Sequence, residues 1–249
     1  MQKNNSTYTY TYVLILSLLV ALSLSVTYSV FKPIHDDNEA FATQKDLLSA
    51  ALTVDKVKNM SKSDIEGIFK NQIKQVVLDV NGKDITATAG ITAEKIKLSD
   101  EKKKEAANRF YPLFVYSGTD GKQSFIVSVR GKGLWDEIWG WLSINGKDMS
   151  TIEGVSFDHK GETPGLGAEI KDNPVWFGQF YTKDKGNTPK RIFDDAGNYV
   201  SVAVVKGGLK SNPHAVDAIS GSTMTGDGLA KMLKTGLEPY ALYFKSLKK

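Results

Sequence analysis

Across 249 residues, 41% hydrophobic and 24% charged, the chain reads as ordinary globular material with length for one or two domains and a sizeable core. Its net charge of +4, from 32 basic and 28 acidic residues, is too mild and too dispersed for a nucleic-acid partner. Cysteine is absent, which excludes disulfides and Cys-ligated iron–sulfur or zinc sites, and His35, His159 and His214 show no metal-ligand spacing. Any redox chemistry must come from an added cofactor.

The first 31 residues hold one charged group, Lys3, and the 20 residues from Tyr12 to Phe31 hold none. As a helix that run would span ~30 Å, the thickness of a bilayer core. Tyr8, Tyr10 and Tyr12 at one end and Tyr28 at the other suit the two interfaces, and Lys32-Pro33 closes the segment. The competing reading is a cleaved signal peptide, with Ser23-x-Ser25 as a weak cleavage site; length favours a retained anchor. Lys3 before the span and Lys32 after it barely decide the orientation. A short N-terminal tail before one long apolar segment reads as a signal anchor, with the bulk of the chain outside the cytoplasm.

Residues 38–53 continue as an amphipathic helix near the membrane. A second helix is marked by a capping box of Ser63 and Glu66, with Ile65, Ile68, Phe69, Ile73, Val76 and Val77 near one face. Asn81-Gly82 signals a turn, and the Lys- and Glu-rich residues 99–108 read as a solvated connector. From Arg109 the texture becomes β. Leu113 to Tyr116 and Phe125 to Val129 flank a hairpin loop, Ile152 to Phe157 forms a shorter strand, and Phe193 and Tyr199 to Val205 flank a second hairpin. Helix returns from Asp227 to Phe244, interrupted near Gly236 and Pro239. The fold class is α+β: a tail (1–11), a transmembrane helix (12–31), a helical stem (32–108) and an antiparallel-sheet domain with packed helices (109–249).

Three stretches carry candidate chemistry. Asp217-Ala-Ile-Ser-Gly-Ser-Thr-Met-Thr225 is a polar loop before a helical stretch; its unpaired N–H groups suit an anion such as phosphate, and an ordinary Ser/Thr-rich N-cap turn would look the same. Gly131-Lys-Gly-Leu-Trp135 begins a segment with three tryptophans, Trp135, Trp139 and Trp141, for most of which core packing is expected. His159-Lys-Gly-Glu-Thr-Pro-Gly-Leu-Gly167 holds a Pro-Gly turn whose glycines let backbone approach a flat ligand, without the rest of a dinucleotide fingerprint. His159 reads as a structural or surface histidine, with a protonic role left open.

Asp217-x-x-Ser220-Gly221-Ser222-Thr223 resembles the flavin-attachment motif D-x-x-(S/T)-G-A-T of the FMN-binding domain family, departing from it at Ser222 where Ala is usual. In that family a flavin transferase joins FMN through its phosphate to the last threonine of the motif, which by position is Thr223. Thr225 matches a second threonine that is not the attachment point. The Gly131–Trp135 and His159–Gly167 stretches resemble the NqrC branch of the family, found in sodium-translocating NADH:quinone oxidoreductases. The resemblance implies a covalent FMN with Asp217, Ser220, Gly221, Ser222 and Thr223 in its attachment loop. It implies contacts from Glu162, Thr163, Gly165, Leu166 and Trp135, and Lys206, Lys210 and Lys231 are candidate counter-charges. It implies further the partners of such an assembly: other membrane and peripheral subunits, one with a second attached FMN, iron–sulfur centres and an NADH-oxidising subunit. The place implied is a bacterial inner membrane, with the soluble domain periplasmic. The alternatives are the corresponding flavin protein of the related ferredoxin:NAD oxidoreductase (Rnf) complex, and a non-redox anchored periplasmic binding module.

Overall fold

The computed structural model describes residues 6–119, 121–183, 187–207 and 211–248. It divides into two compact units, one ending at Thr43 and one beginning at Gln44. Helix α1 (Ser6–Leu52) is continuous through Pro33, so Lys32-Pro33 does not end it. Proline removes one i→i−4 bond and kinks a helix more often than it ends one when helix-forming residues follow. Its apolar run is fully exposed and has the length and composition of a membrane span. Three of the serine hydroxyls within that run are satisfied inside the helix. Ser17 donates to the Val13 carbonyl at 2.5 Å, Ser23 to Leu19 at 2.8 Å and Ser29 to Ser25 at 2.9 Å, as a hydrocarbon environment demands.

After α2 (Val54–Lys58), helix α3 (Lys62–Gln72) starts at a capping box two residues earlier than expected. Ser61 Oγ accepts from Asp64 N at 3.2 Å and Asp64 accepts from Ser61 N at 3.3 Å; Asp64 fills the role assigned to Glu66, with Ser61 in place of Ser63. The helix also ends earlier. Ile73, Val76 and Val77, expected on its face, belong to strand β1 (Ile73–Leu78), because β-branched side chains fit an extended backbone with a pairing partner. Gly82 makes the expected turn at φ +72°. Residues 98–108 form α4 (Leu98–Glu101) and a loop. Glu101 is buried there, accepting from Phe110 N at 2.9 Å and pairing with Lys104, so this connector is solvated only in part.

The sheet is a five-stranded antiparallel meander, β1 to β5 in order: β2 (Tyr111–Ser117), β3 (Gln123–Lys132), β4 (Glu137–Asn145) and β5 (Ile152–His159) complete it. The expected 113–129 hairpin is β2–β3. The β3–β4 hairpin, which puts the tryptophan segment in the sheet, was not anticipated. Alternation along β4 buries Ile138, Gly140 and Leu142 and sends Trp139 and Trp141 to the other face, half-buried, with Arg130 stacked over Trp139 and Phe114 edge-on to Trp141. Trp135, at the hairpin tip, is 66% exposed. None of the three joins the main core, contrary to expectation. Short helices α5 (Glu169–Asp172) and α6 (Pro174–Phe177) follow.

The second hairpin reduces to one bridge, Phe193↔Tyr199. Val200 N and Ser201 N both donate to the Ile192 carbonyl, and Ser201 takes φ +63°, so a bulge turns the chain away. The chain then forms β6 (Ala203–Val205), which pairs in parallel with β7 (Ala215–Asp217). Helix α7 (Thr223–Gly236) begins at Thr223, before the expected Asp227, and α8 (Glu238–Leu247) follows the predicted break. Leu229, Met232, Leu233, Leu237, Tyr240 and Phe244 cover one face of the sheet. The buried Tyr240 hydroxyl lies 3.0 Å from the Pro112 carbonyl, tying α8 to β2.

A cleft of about 420 Å³ lies between the last turns of α1 and strand β5, lined by Asp46, Lys58, Phe157, Asp158 and Lys171. Burial pushes the Asp46 carboxyl up to about 6, and the nearby Asp158 charge adds to that. The folded chain therefore holds the Asp46 proton more tightly than the unfolded chain. Its stabilising contribution is complete below pH ~4 and lost as pH rises through ~6. Thermal melts should show Asp46→Asn more stable than the parent at pH 7 by up to about 3 kcal/mol, a difference that closes at pH 4.

Candidate functional site

Two loops meet at the start of α7, and each is built on the same kind of turn. In the first, Leu166 N donates to the Thr163 carbonyl at 3.1 Å, with Pro164 and Gly165 (φ +73°) between them. In the second, Ser222 N donates to the Ile219 carbonyl at 3.1 Å, with Ser220 and Gly221 (φ +73°) between. Positive φ at the third position defines type II turns and explains both glycines. The turns touch: a Cβ on Gly221 would sit 2.8 Å from Leu166 Cδ2.

Beneath the contact lies Glu162, 4% exposed. One carboxylate oxygen accepts from Trp135 N at 3.0 Å, the other from Thr225 Oγ1 at 2.6 Å. Its own N–H donates to His159 Nδ1 at 3.2 Å, giving His159 a structural role. A buried carboxylate is tolerable when donors reach its oxygens, and here two distant chain segments supply one donor to each. Room for it comes from two glycines: a Cβ on Gly133 would lie 2.5 Å from Glu162 Oε1, and one on Gly167 would lie 2.3 Å from Oε2 and 2.7 Å from Thr225 Oγ1. The indole N–H of Trp135 donates to Thr163 Oγ1 at 3.1 Å, and Lys160 pairs with Asp136 at 3.0 Å, so the β3–β4 tip is pinned to the first loop.

The residues singled out from sequence thus fall into two layers. Glu162, Ser222 and Thr225 are buried, whereas Trp135, Thr163, Gly165, Leu166, Ser220, Gly221 and Thr223 are exposed around them. Asp217 sits further back, at the end of β7, its N–H held by Gln179 Oε1 at 2.9 Å and its carbonyl by Trp176 Nε1 at 2.7 Å. Its charge faces the fully buried Lys190, whose pKa burial lowers and Asp217 opposes. Lys206 and Lys231 are exposed, and Lys210 lies outside the described residues. Sequence reasoning passed over Leu134 and Met224, 45% and 61% exposed, which add apolar surface beside Trp135 and Thr223. It also passed over Trp176 and Gln179, about 40 positions from the backbone they hold, a distance no local pattern bridges.

Helix α7 opens without a side-chain cap. Thr223 is its first residue, and nothing lies within 4 Å of a Cβ built on Gly165. A phosphate at an uncapped helix start and a flat ring over exposed apolar side chains both fit this surface.

Comparison with known proteins agrees with that geometry. A family model described as FMN-binding domain matches residues 133–238. The NqrC protein of the Na(+)-translocating NADH-quinone reductase of Pasteurella multocida is 32% identical over 220 residues, covering 82% of this chain and 79% of that protein. The crystal structure of its counterpart from Parabacteroides distasonis superposes with a TM-score of 0.70 at 32% identity, over 85% of this chain and 96% of that one. For Shewanella oneidensis NqrC the TM-score is 0.67 at 28% identity, over 85% and 99%. The chain belongs to the NqrC family of Na(+)-translocating NADH-quinone reductase subunits. The α+β class and the NqrC branch expected from the motifs are both borne out, the latter in preference to the ferredoxin-linked alternative. The matched domain opens at the β3–β4 tip and closes at the first residue of α8.

If Glu162 organises the two layers, crowding it should register in stability. Gly167→Ala should cost about 1–3 kcal/mol in thermal or denaturant unfolding, because the new methyl overlaps both partners of the Glu162–Thr225 bond. Gly161→Ala, in open space six residues earlier, should stay within about 0.5 kcal/mol of the parent.

Proposed function

We propose that this chain is the NqrC electron-transfer protein of a Na(+)-translocating NADH-quinone reductase and holds FMN covalently, as a phosphoester on Thr223. One observation carries the assignment to that residue. Thr223 is exposed on the first turn of an uncapped helix, while Thr225 is fully buried with its hydroxyl engaged by Glu162. Ser222, the added hydroxyl of the motif, is also buried and so does not compete.

Bound FMN supplies reversible one- and two-electron chemistry; the chain supplies position and electrostatics. The phosphodiester keeps one negative charge, and the N-terminus of α7 stabilises it by about 0.3–1 kcal/mol. Lys206 and Lys231 are exposed cations that can add to this at range. Leu166 and Trp135, with Leu134 and Met224 beside them, present the apolar surface for the ring. The turn at Thr163 to Leu166 fixes the backbone, and Gly165 leaves it approachable. Asp217, Ser220 and Gly221 shape the attachment loop: Asp217 through its braced backbone, Gly221 through the turn.

The run from Tyr12 to Phe31 is read as a retained single-pass anchor in a bacterial inner membrane, with residues 32–108 leading to a periplasmic flavin domain of residues 109–249. Its exposed apolar length, and the Ser17, Ser23 and Ser29 hydroxyls satisfied inside the helix, support that reading. Sodium transport belongs to the assembly, since one span forms no pathway. The partners are the other membrane and peripheral subunits, with a flavin transferase during maturation. NADH oxidation falls to another member of the assembly, because this chain carries no complete dinucleotide fingerprint.

The tryptic peptide Ser211–Lys231, from chain produced together with a flavin transferase, should carry the added mass of one FMN less water. Thr223→Ala should abolish the mass shift and leave the protein colourless, whereas Thr225→Ala should still be labelled. A peptide found only at its unmodified mass would remove the assignment.

A further inference from the structure

Within six residues at the start of α7 the chain offers four hydroxyls, on Ser220, Ser222, Thr223 and Thr225, and only one is the proposed acceptor. Thr223 and Thr225 share the first turn of the helix, so sequence proximity alone does not separate them. Their environments do. Thr225 is 0% exposed and donates to Glu162 at 2.6 Å, a short bond to a carboxylate that also holds Trp135 N at 3.0 Å. Hydrogen bonds to a charged acceptor are among the strong ones, and breaking this one would leave a buried carboxylate oxygen without its donor.

We infer that Glu162 is a positioning residue whose hydrogen bond withholds Thr225, so that Thr223 is the threonine of this turn open to phosphoryl transfer. The inference rests on the covalent reading given above. In the transfer, the threonine oxygen forms a bond to the flavin phosphorus of a flavin dinucleotide donor. The phosphoanhydride bond to the donor's nucleotide half breaks, and the hydroxyl proton passes through a base to that leaving group. No oxidation state changes. A threonine whose proton is already directed at a buried carboxylate, and whose oxygen is closed off by Gly167 and Glu162, cannot take the attacking role. Gly133 and Gly167, one from each of two separate motifs, are the residues that let Glu162 occupy that position.

The experiment uses the full chain produced together with a flavin transferase, and reads the position and fraction of FMN by peptide mass. The parent chain should be labelled at Thr223, and Thr223→Ala should be unlabelled. Adding Glu162→Ala to Thr223→Ala should move label onto Thr225, from none to at least about one chain in ten. A Thr223→Ala/Glu162→Ala chain that melts cooperatively yet carries no label on Thr225 would overturn the role given to Glu162, as would label on Thr225 in Thr223→Ala alone. If that double variant does not melt cooperatively, Glu162→Asp takes its place under the same rule, being one methylene too short to hold Trp135 N and Thr225 together. Failure of the underlying reading looks different: the parent chain itself would be unlabelled at Thr223.

Discussion

A single buried carboxylate, Glu162, holds the functional end of this molecule together. Its two oxygens take donors from a hairpin tip 27 residues upstream and a helix start 63 residues downstream, while its own backbone belongs to the loop between them. A buried charge costs several kcal/mol unless its hydrogen-bonding capacity is filled, so none of the three segments can move without exposing the others to that penalty. The glycines that surround it follow from the same constraint. Gly133 and Gly167 are small because Glu162 is large and must sit between them.

This arrangement separates rigidity from reactivity. The buried layer, made of Glu162, Thr225 and Ser222, sets the geometry, and the exposed layer above it, made of Trp135, Leu166, Met224 and Thr223, faces whatever binds. Helix α7 links the layers: its buried stripe of Leu229, Met232 and Leu233 docks on the sheet, so its first turn is fixed in space although Thr223 itself is uncovered. Close backbone packing reinforces the docking, since a Cβ on Gly228 would fall 2.2 Å from the Lys132 carbonyl. An electron carrier gains from such a base. A flavin ring held in one place keeps the distance to redox partners constant.

Much of this was legible in the sequence, and the limits are physical. The apolar run of Tyr12 to Phe31, the β2–β3 hairpin and the break between α7 and α8 declared themselves through uncharged length, alternation and Gly/Pro punctuation. The three site motifs were visible as short polar or glycine-rich stretches, and the structure brings them to one place. What failed was whatever depended on a distant partner. Ile73, Val76 and Val77 fit a helical stripe until strand β2 offers them a ladder. Trp139 and Trp141 look like core until the register of β4 turns them to the far face. Glu162 reads as one more polar residue near a ligand, because nothing local announces that Trp135 and Thr225 will reach it.

The central claim is a phosphodiester joining FMN to the start of α7, and phosphorus NMR of the purified full-length chain tests it most directly. A phosphodiester has no second ionisation, so its resonance should hold one position from about pH 5 to 9 and remain with the polypeptide after denaturation. A resonance that titrates with a midpoint of about 6, the second ionisation of a phosphomonoester, or that leaves with the small molecules on unfolding, would mean that the flavin is bound but not joined.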